Sequence, residues 1–283
     1  MNVRSLTLLG LLSLSLPALA GAAKKPRPIP VPDKETVARH LIGGALTDGH
    51  AFELLRELTD HIGPRLSGSP GAQQAVLWAM ARAQEDGLSV RTEKAMVPHW
   101  VRGEEKAQIV SLPAPKGLEQ LTGARWPPEP YQLAITALGG SKPTPAGGVE
   151  GDVVEVGSLA DIRALGERAK GKIVFVNHDM SVAADYGRLA SLRTKGPYEA
   201  GKLGAVGTLV RSLASASMRS PHTGATSLLP EASPSAALST EDAEHLHRLL
   251  QLGPVRVHLT LGCQTLPDVE SANVVMELPG REL

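Results

Sequence analysis

Aromatic side chains are nearly missing from this sequence: Phe, Tyr and Trp make up 3% of its 283 residues. A core must therefore rest on Leu, Val, Ile and Ala, and a single-strand nucleic-acid surface of stacking rings is not expected. Cysteine occurs once, as Cys263, which excludes a disulfide within the chain and a zinc cluster built on cysteines. Cys263 ends an alternating apolar segment and reads as a small buried hydrophobe. Net charge is absent as well, since 29 Lys and Arg balance 29 Asp and Glu. The chain thus lacks both the basic excess that points to nucleic acid and the acidic excess of a disordered tail. What is present, 42% hydrophobic and 20% charged residues, suits a globular protein with one large domain or two modest ones.

The apolar run Leu6–Leu16 is too short to cross a bilayer as a helix. Arg4 precedes it, and Pro17 and Ala18-Leu19-Ala20 follow. This pattern reads as a secretory signal peptide over residues 1–20, with Ala18 and Ala20 as the small residues of its cleavage site. A retained membrane anchor is the alternative. Cleavage predicts a secreted or periplasmic protein without a membrane attachment. Alternating prolines in Lys24–Pro32 make residues 21–32 an extended linker.

The rest alternates between helical and strand periodicity and predicts an α/β fold. Asp33 and Asp48 are placed to cap helices over Lys34–Leu46 and Asp48–Asp60, and Ser69-Pro70 to start a helix over Gly71–Glu85. Strands are expected at Ser89–Val97 and Lys106–Leu112. A Pro- and Gly-rich stretch from Pro113 to Pro145 marks a boundary. Beyond it come strands at Val149–Val156, Lys172–Val176, Ala205–Val210, Ala236–Leu238, Val255–Leu261 and Asn273–Leu278. Helices are expected at Leu159–Arg168, at Tyr186–Leu203 with a break or restart at Gly196-Pro197, and at Ser239–Leu252 with Thr240 and Glu244 as a capping arrangement.

Several segments in this order resemble the carboxypeptidase Q family (plasma glutamate carboxypeptidase) and its bacterial relatives. They are Arg65-Leu66-Ser67-Gly68-Ser69, Trp100-Val101-Arg102-Gly103-Glu104, Gly171-Lys172-Ile173-Val174-Phe175, Gly204-Ala205-Val206-Gly207, Arg211-Ser212, Pro221-His222-Thr223-Gly224 and Ser271-Ala272-Asn273-Val274-Val275. The resemblance implies a secreted exopeptidase with two zinc ions, acting on dipeptides or terminal peptide bonds, with a protease-associated (PA) domain inserted in its α/β peptidase domain. It assigns residues 33–114 and 269–283 to the peptidase domain and 115–268 to the insert. Arg65, Gly68, Ser69, Trp100, Arg102 and Gly103 are its structural motif positions. His222, Thr223, Gly224 and Arg211 are candidates for the substrate entrance.

The family's zinc ligands are expected beyond Asn273–Leu278, so no catalytic or metal residue is assigned in this chain. None of the histidines 40, 50, 61, 99, 178, 222, 245, 247 and 258 has Asp two residues later. Glu104-Glu105 is the only Glu-Glu pair and lies in the Trp-x-Arg-Gly hairpin. The chain therefore reads as the front part of a peptidase, inactive alone, that pairs with a missing C-terminal half or with a second copy of itself. A secreted PA-type module that binds peptides or proteins without catalysis is the competing reading.

Local motifs add little chemistry. His245 and His247 point about 200° apart on a helix and cannot share one ion. His178 follows a buried strand and reads as structural. Arg211 can bind a carboxylate bidentately or fix a loop through an ion pair. Ser67-Gly68-Ser69-Pro70-Gly71 departs from the nucleophile-elbow pattern, because Ser67 stands where its first Gly belongs. Gly139-Gly140 and Gly147-Gly148 lack phosphate-loop spacing.

Overall fold

A computed structural model describes residues 33–118, 126–178, 180 and 185–280. The expected signal peptide and linker lie outside the described residues. The chain divides into two compact units, the first ending at Leu55 and the second running from Arg56.

In the first unit, helix α1 (Lys34–Thr47) starts at Asp33, whose side chain accepts the Thr36 N–H. Its apolar residues are open, Leu46 being 81% exposed. Asp48 accepts the His50 N–H at 2.9 Å, and helix α2 (His50–Glu57) follows. The single helix expected to Asp60 passes instead into a π-turn, Leu58–Ile62, closed by Gly63 at φ +72°.

The second unit contains two sheets. Helix α3 (Pro70–Glu85) packs beside a long antiparallel ribbon of β1 (Ser89–Val101) and β10 (Gln264–Glu277). The second sheet has eight strands in the order β3-β2-β9-β5-β6-β7-β8-β4. They are β2 (Glu105–Ser111), β3 (Tyr131–Leu133), β4 (Ile135–Ala137), β5 (Val149–Val156), β6 (Ile173–Val176), β7 (Gly207–Arg211), β8 (Ser235–Leu238) and β9 (Arg256–Leu261). Strands β5 to β8 run parallel, and the outer pairings are antiparallel.

Strand β6 explains the two-sided core. All four of its residues are buried, and alternate side chains leave opposite faces of the sheet. Ile173 and Phe175 join Leu209, Val257 and Leu259 in one cluster, under Leu246 of helix α6 (Thr240–Leu250). Val174 and Val176 join Val210 on the other face, under Ile162 of helix α4 (Leu159–Leu165) and Leu189 of helix α5 (Tyr186–Lys202). Cys263 is buried in the first cluster.

Three local expectations are corrected. Helix α5 continues through Gly196-Pro197, and Ser227 and Ser233 tie the Thr194 and Pro197 carbonyls on that turn to the neighbouring loop. Helix α6 is capped by Ser239, whose Oγ accepts the Asp242 N–H. Thr240 instead accepts the Met218 N–H, and Glu244 pairs with Arg211. Strand β10 begins nine residues before the expected Asn273, held by its register with β1. Strand β2, ahead of the Pro113 boundary, pairs with β9 in the eight-stranded sheet.

Candidate functional site

The motif residues assemble where the ribbon meets the larger sheet. The chain passes from β1 to β2 through Arg102-Gly103-Glu104, and from β9 to β10 through Gly262-Cys263. The Gly262 N–H donates to the Glu104 carbonyl at 2.7 Å. Gly103 is held at φ +70°, a left-handed conformation that favours glycine. Trp100 Nε1 donates to the Ser141 carbonyl at 2.9 Å, and the Arg102 guanidinium lies 5.2 Å from the Trp100 ring centre. Arg102 also pairs with Glu105 at 3.1 Å and donates to the Ala137 carbonyl, while Glu105 accepts the Ala137 N–H at 2.8 Å. Glu105 is thus committed to holding β4 against β2.

Arg65, Gly68 and Ser69 shape the turn before α3. Arg65 donates to the carbonyls of Leu58 and Gly63, completing the end of the π-turn. Gly68 has φ +78°, and a Cβ there would meet the His99 ring and Val269 at 2.9 Å. Ser69 caps α3 through Ala72 N–H, with Pro70 as the first helical residue. A groove of about 590 Å³ opens between α3 and the ribbon, lined by Gln73, Val76, Met80, His99 and Val269 among others.

The entrance candidates gather at the carboxyl ends of the parallel strands. Arg211 is the last residue of β7. Its Nη1 lies 2.5 Å from Glu244 Oε1 and donates to Asn177 Oδ1 at 3.2 Å. Asn177 donates to Glu155, which also bonds His247 Nδ1 at 2.8 Å. A polar chain therefore runs His247–Glu155–Asn177–Arg211–Glu244 across the ends of β5, β6 and β7. His178 Nε2 bonds the Arg211 carbonyl at 2.9 Å. His245 turns away from His247 and meets the Tyr131 ring edge-on at 4.7 Å. Burial lowers the His245 pKa below its ordinary value.

His222, Thr223 and Gly224 lie in the loop beyond. The His222 N–H donates to Ser212 Oγ, its Nδ1 bonds the Leu213 carbonyl at 2.6 Å, and its ring stacks with Tyr186 at 6.2 Å. Thr223 donates to the Ala137 carbonyl at 3.0 Å. Gly224 lies against the Arg193 guanidinium, so that a Cβ would approach Arg193 Cζ to 2.4 Å. The structure thus brings Arg211 together with Glu244, Asn177, Glu155 and His247, none of which is among the entrance candidates. The available signal was positional: Glu155 is a polar residue next to the last in β5, and Asn177 directly follows the apolar run of β6.

A two-zinc centre needs a bridging carboxylate, further carboxylate and imidazole ligands, and a Glu base. Among the described residues no three His, Cys, Asp or Glu side chains converge as a metal site. The described residues do not fit that metal pair. No described helix is long and apolar enough to cross a membrane.

No family model matches the chain. Among solved structures, a peptidase M28 precursor from Shewanella amazonensis SB2B superposes with a TM-score of 0.73 at 33% identity, covering 85% of this chain and 52% of that one. The fold is the α/β fold of that M28 peptidase. At closer range, 254 residues are 35% identical to carboxypeptidase Q of Mus musculus, covering 87% of this chain and 50% of that protein. Homo sapiens carboxypeptidase Q is 35% identical over 252 residues, 86% of this chain and 49% of its own length. The chain is homologous to carboxypeptidase Q, as its motifs indicated, and spans about half the length of these relatives.

Proposed function

We propose that this chain supplies the scaffold and the inserted sheet domain of a secreted zinc exopeptidase of the carboxypeptidase Q type, acting on dipeptides or terminal peptide bonds. The observation that carries the reading is 35% identity over 254 residues. In this reading the ribbon and α3 belong to the peptidase scaffold, and the strands from Glu105 to Leu261 form the insert. This reading counts β2 with the insert, since its neighbours in the larger sheet are β3 and β9. The Trp100–Arg102–Glu105 contacts fix the insert on the scaffold, and the loop of His222, Thr223 and Gly224 borders the path of the peptide.

The described side chains do not fit a zinc pair. Purified protein starting at Gly21, supplied with zinc and dipeptides, is expected to show no chelator-sensitive hydrolysis. Such hydrolysis would place a working metal site within this chain and overturn its reading as scaffold and insert alone. Export with a mature terminus at Gly21, read by mass spectrometry, tests the secreted part of the reading. An intact Met1 on cytoplasmic protein would refute it.

A further inference from the structure

A small cavity of about 230 Å³ lies where β6 and β7 end, walled by Arg211, Ala214, Ser215, Ser217, Thr240 and Glu244. We propose that it binds a free α-amino acid, the carboxylate on Arg211 and the ammonium on Glu244. The cavity lies on the carboxyl-end side of the parallel strands, the side on which open α/β sheets take ligands. Four parallel strands, β5 to β8, present such an edge here.

The charges select the ligand. Arg211 uses Nη1 for both Glu244 and Asn177, and among the described residues its Nε and Nη2 donate no hydrogen bond. The unused edge offers two parallel N–H donors, the fork that a carboxylate accepts bidentately. Glu244 is half exposed and holds Arg211 through Oε1, leaving Oε2 for a cation. A simple anion would face the Glu244 carboxylate, and a simple cation would face Arg211. A ligand carrying both signs a few bonds apart satisfies both poles without separating the pair. The Ser215 and Ser217 hydroxyls add polar contacts, and Ala214 leaves room for an apolar side chain. The polar chain through Asn177, Glu155 and His247 holds Arg211 in place from behind.

This inference does not depend on the peptidase reading, since binding is measured without turnover. The test is calorimetric titration of the protein starting at Gly21 with L-leucine, N-acetyl-L-leucine and L-leucinamide. L-Leucine is expected to bind, and each capped analogue to bind at least about tenfold more weakly, a loss of about 1.4 kcal/mol. Arg211→Gln and Glu244→Gln should each weaken leucine binding by a similar factor. Ser215→Leu keeps the ion pair and fills the cavity from its exposed side, so it should abolish binding with unfolding temperature unchanged. The proposal is overturned if wild-type protein does not bind leucine at millimolar concentration. It is also overturned if a capped analogue binds as tightly as leucine, or if folded Ser215→Leu binds normally.

Discussion

The backbone of Gly103 is pressed against that of Gly262: a Cβ on Gly103 would lie 2.1 Å from the Gly262 carbonyl oxygen. This contact sits where the chain leaves the ribbon and where it returns, so one glycine serves both crossings. Gly103→Ala must relieve the overlap by shifting backbone in addition to straining φ +70°. A loss of about 2 kcal/mol is expected, or roughly 4–8 °C in thermal unfolding for a domain of this size. Gly87 is the control, because it has φ +73° with nothing within 4 Å of an added Cβ. Gly87→Ala should show only the conformational cost of a Cβ in the left-handed region, about 1 kcal/mol. Equal losses in the two variants would show that the Gly262 contact contributes nothing.

His245 gives the fold a measurable response to acid. Burial lowers its pKa from the ordinary 6.5, nearby Arg248 adds to the shift, and Asp242 opposes it. With the folded-state value depressed, the unfolded chain takes up the proton first as pH falls. The resulting stability is present above pH 6.5 and is lost as pH drops from there through the folded-state value. His245→Phe keeps an aromatic ring beside Tyr131 and removes the titration. Urea unfolding between pH 5 and 8 should show a smaller loss on acidification in the variant than in wild type. Parallel curves would contradict the assignment.

The two buried clusters predict where protease resistance lies. Nearly every residue of both falls between Ala107 and Cys263. Helix α3 buries only Ala83, and α1 buries nothing. Limited proteolysis is expected to leave a core beginning close to Glu105 and ending close to Leu261. Survival of residues 33–104 with loss of the larger sheet would reverse this order of stability.

The helices were legible because their ends carry local chemistry: Asp33 and Ser69 accept N–H groups three residues on, as cap residues do. Strands β5, β6 and β9 were legible from their alternating or continuous apolar residues. The three-residue strands β3 and β4 were not, since nothing local marks them in a Pro- and Gly-rich stretch. They are fixed from afar, by Asp242 on the Ala134 N–H and Glu105 on the Ala137 N–H. Most of β10 was hidden because Pro267, Asp268 and Glu270 interrupt its apolar pattern. The pairing Glu270↔Met96 and the irregularity between Val97 and His99 accommodate that segment. The polar chain around Arg211 was hidden for a different reason: residues 155, 177, 211, 244 and 247 meet only after the strands align.

The ribbon carries the clearest prediction about association. Among the described residues β1 and β10 pair only with each other, so each has an edge able to accept another strand. The two edges are not equivalent. β1 carries Arg91, Glu93 and Lys94 in succession, and charges of this kind discourage edge-to-edge pairing. β10 has no charge between Glu270 and Glu277, and Val274, Val275 and Met276 lie in that gap. A short uncharged β-branched segment on an open edge suits intermolecular pairing. The protein is therefore expected to self-associate as concentration rises, through β10. Met276 is 45% exposed, so Met276→Lys adds a charge there with little loss of buried surface. Sedimentation velocity should show weaker association in the variant and similar thermal stability. A wild-type protein that stays monomeric at high concentration, with slow hydrogen exchange along both edges of β10, would show that this edge is already covered.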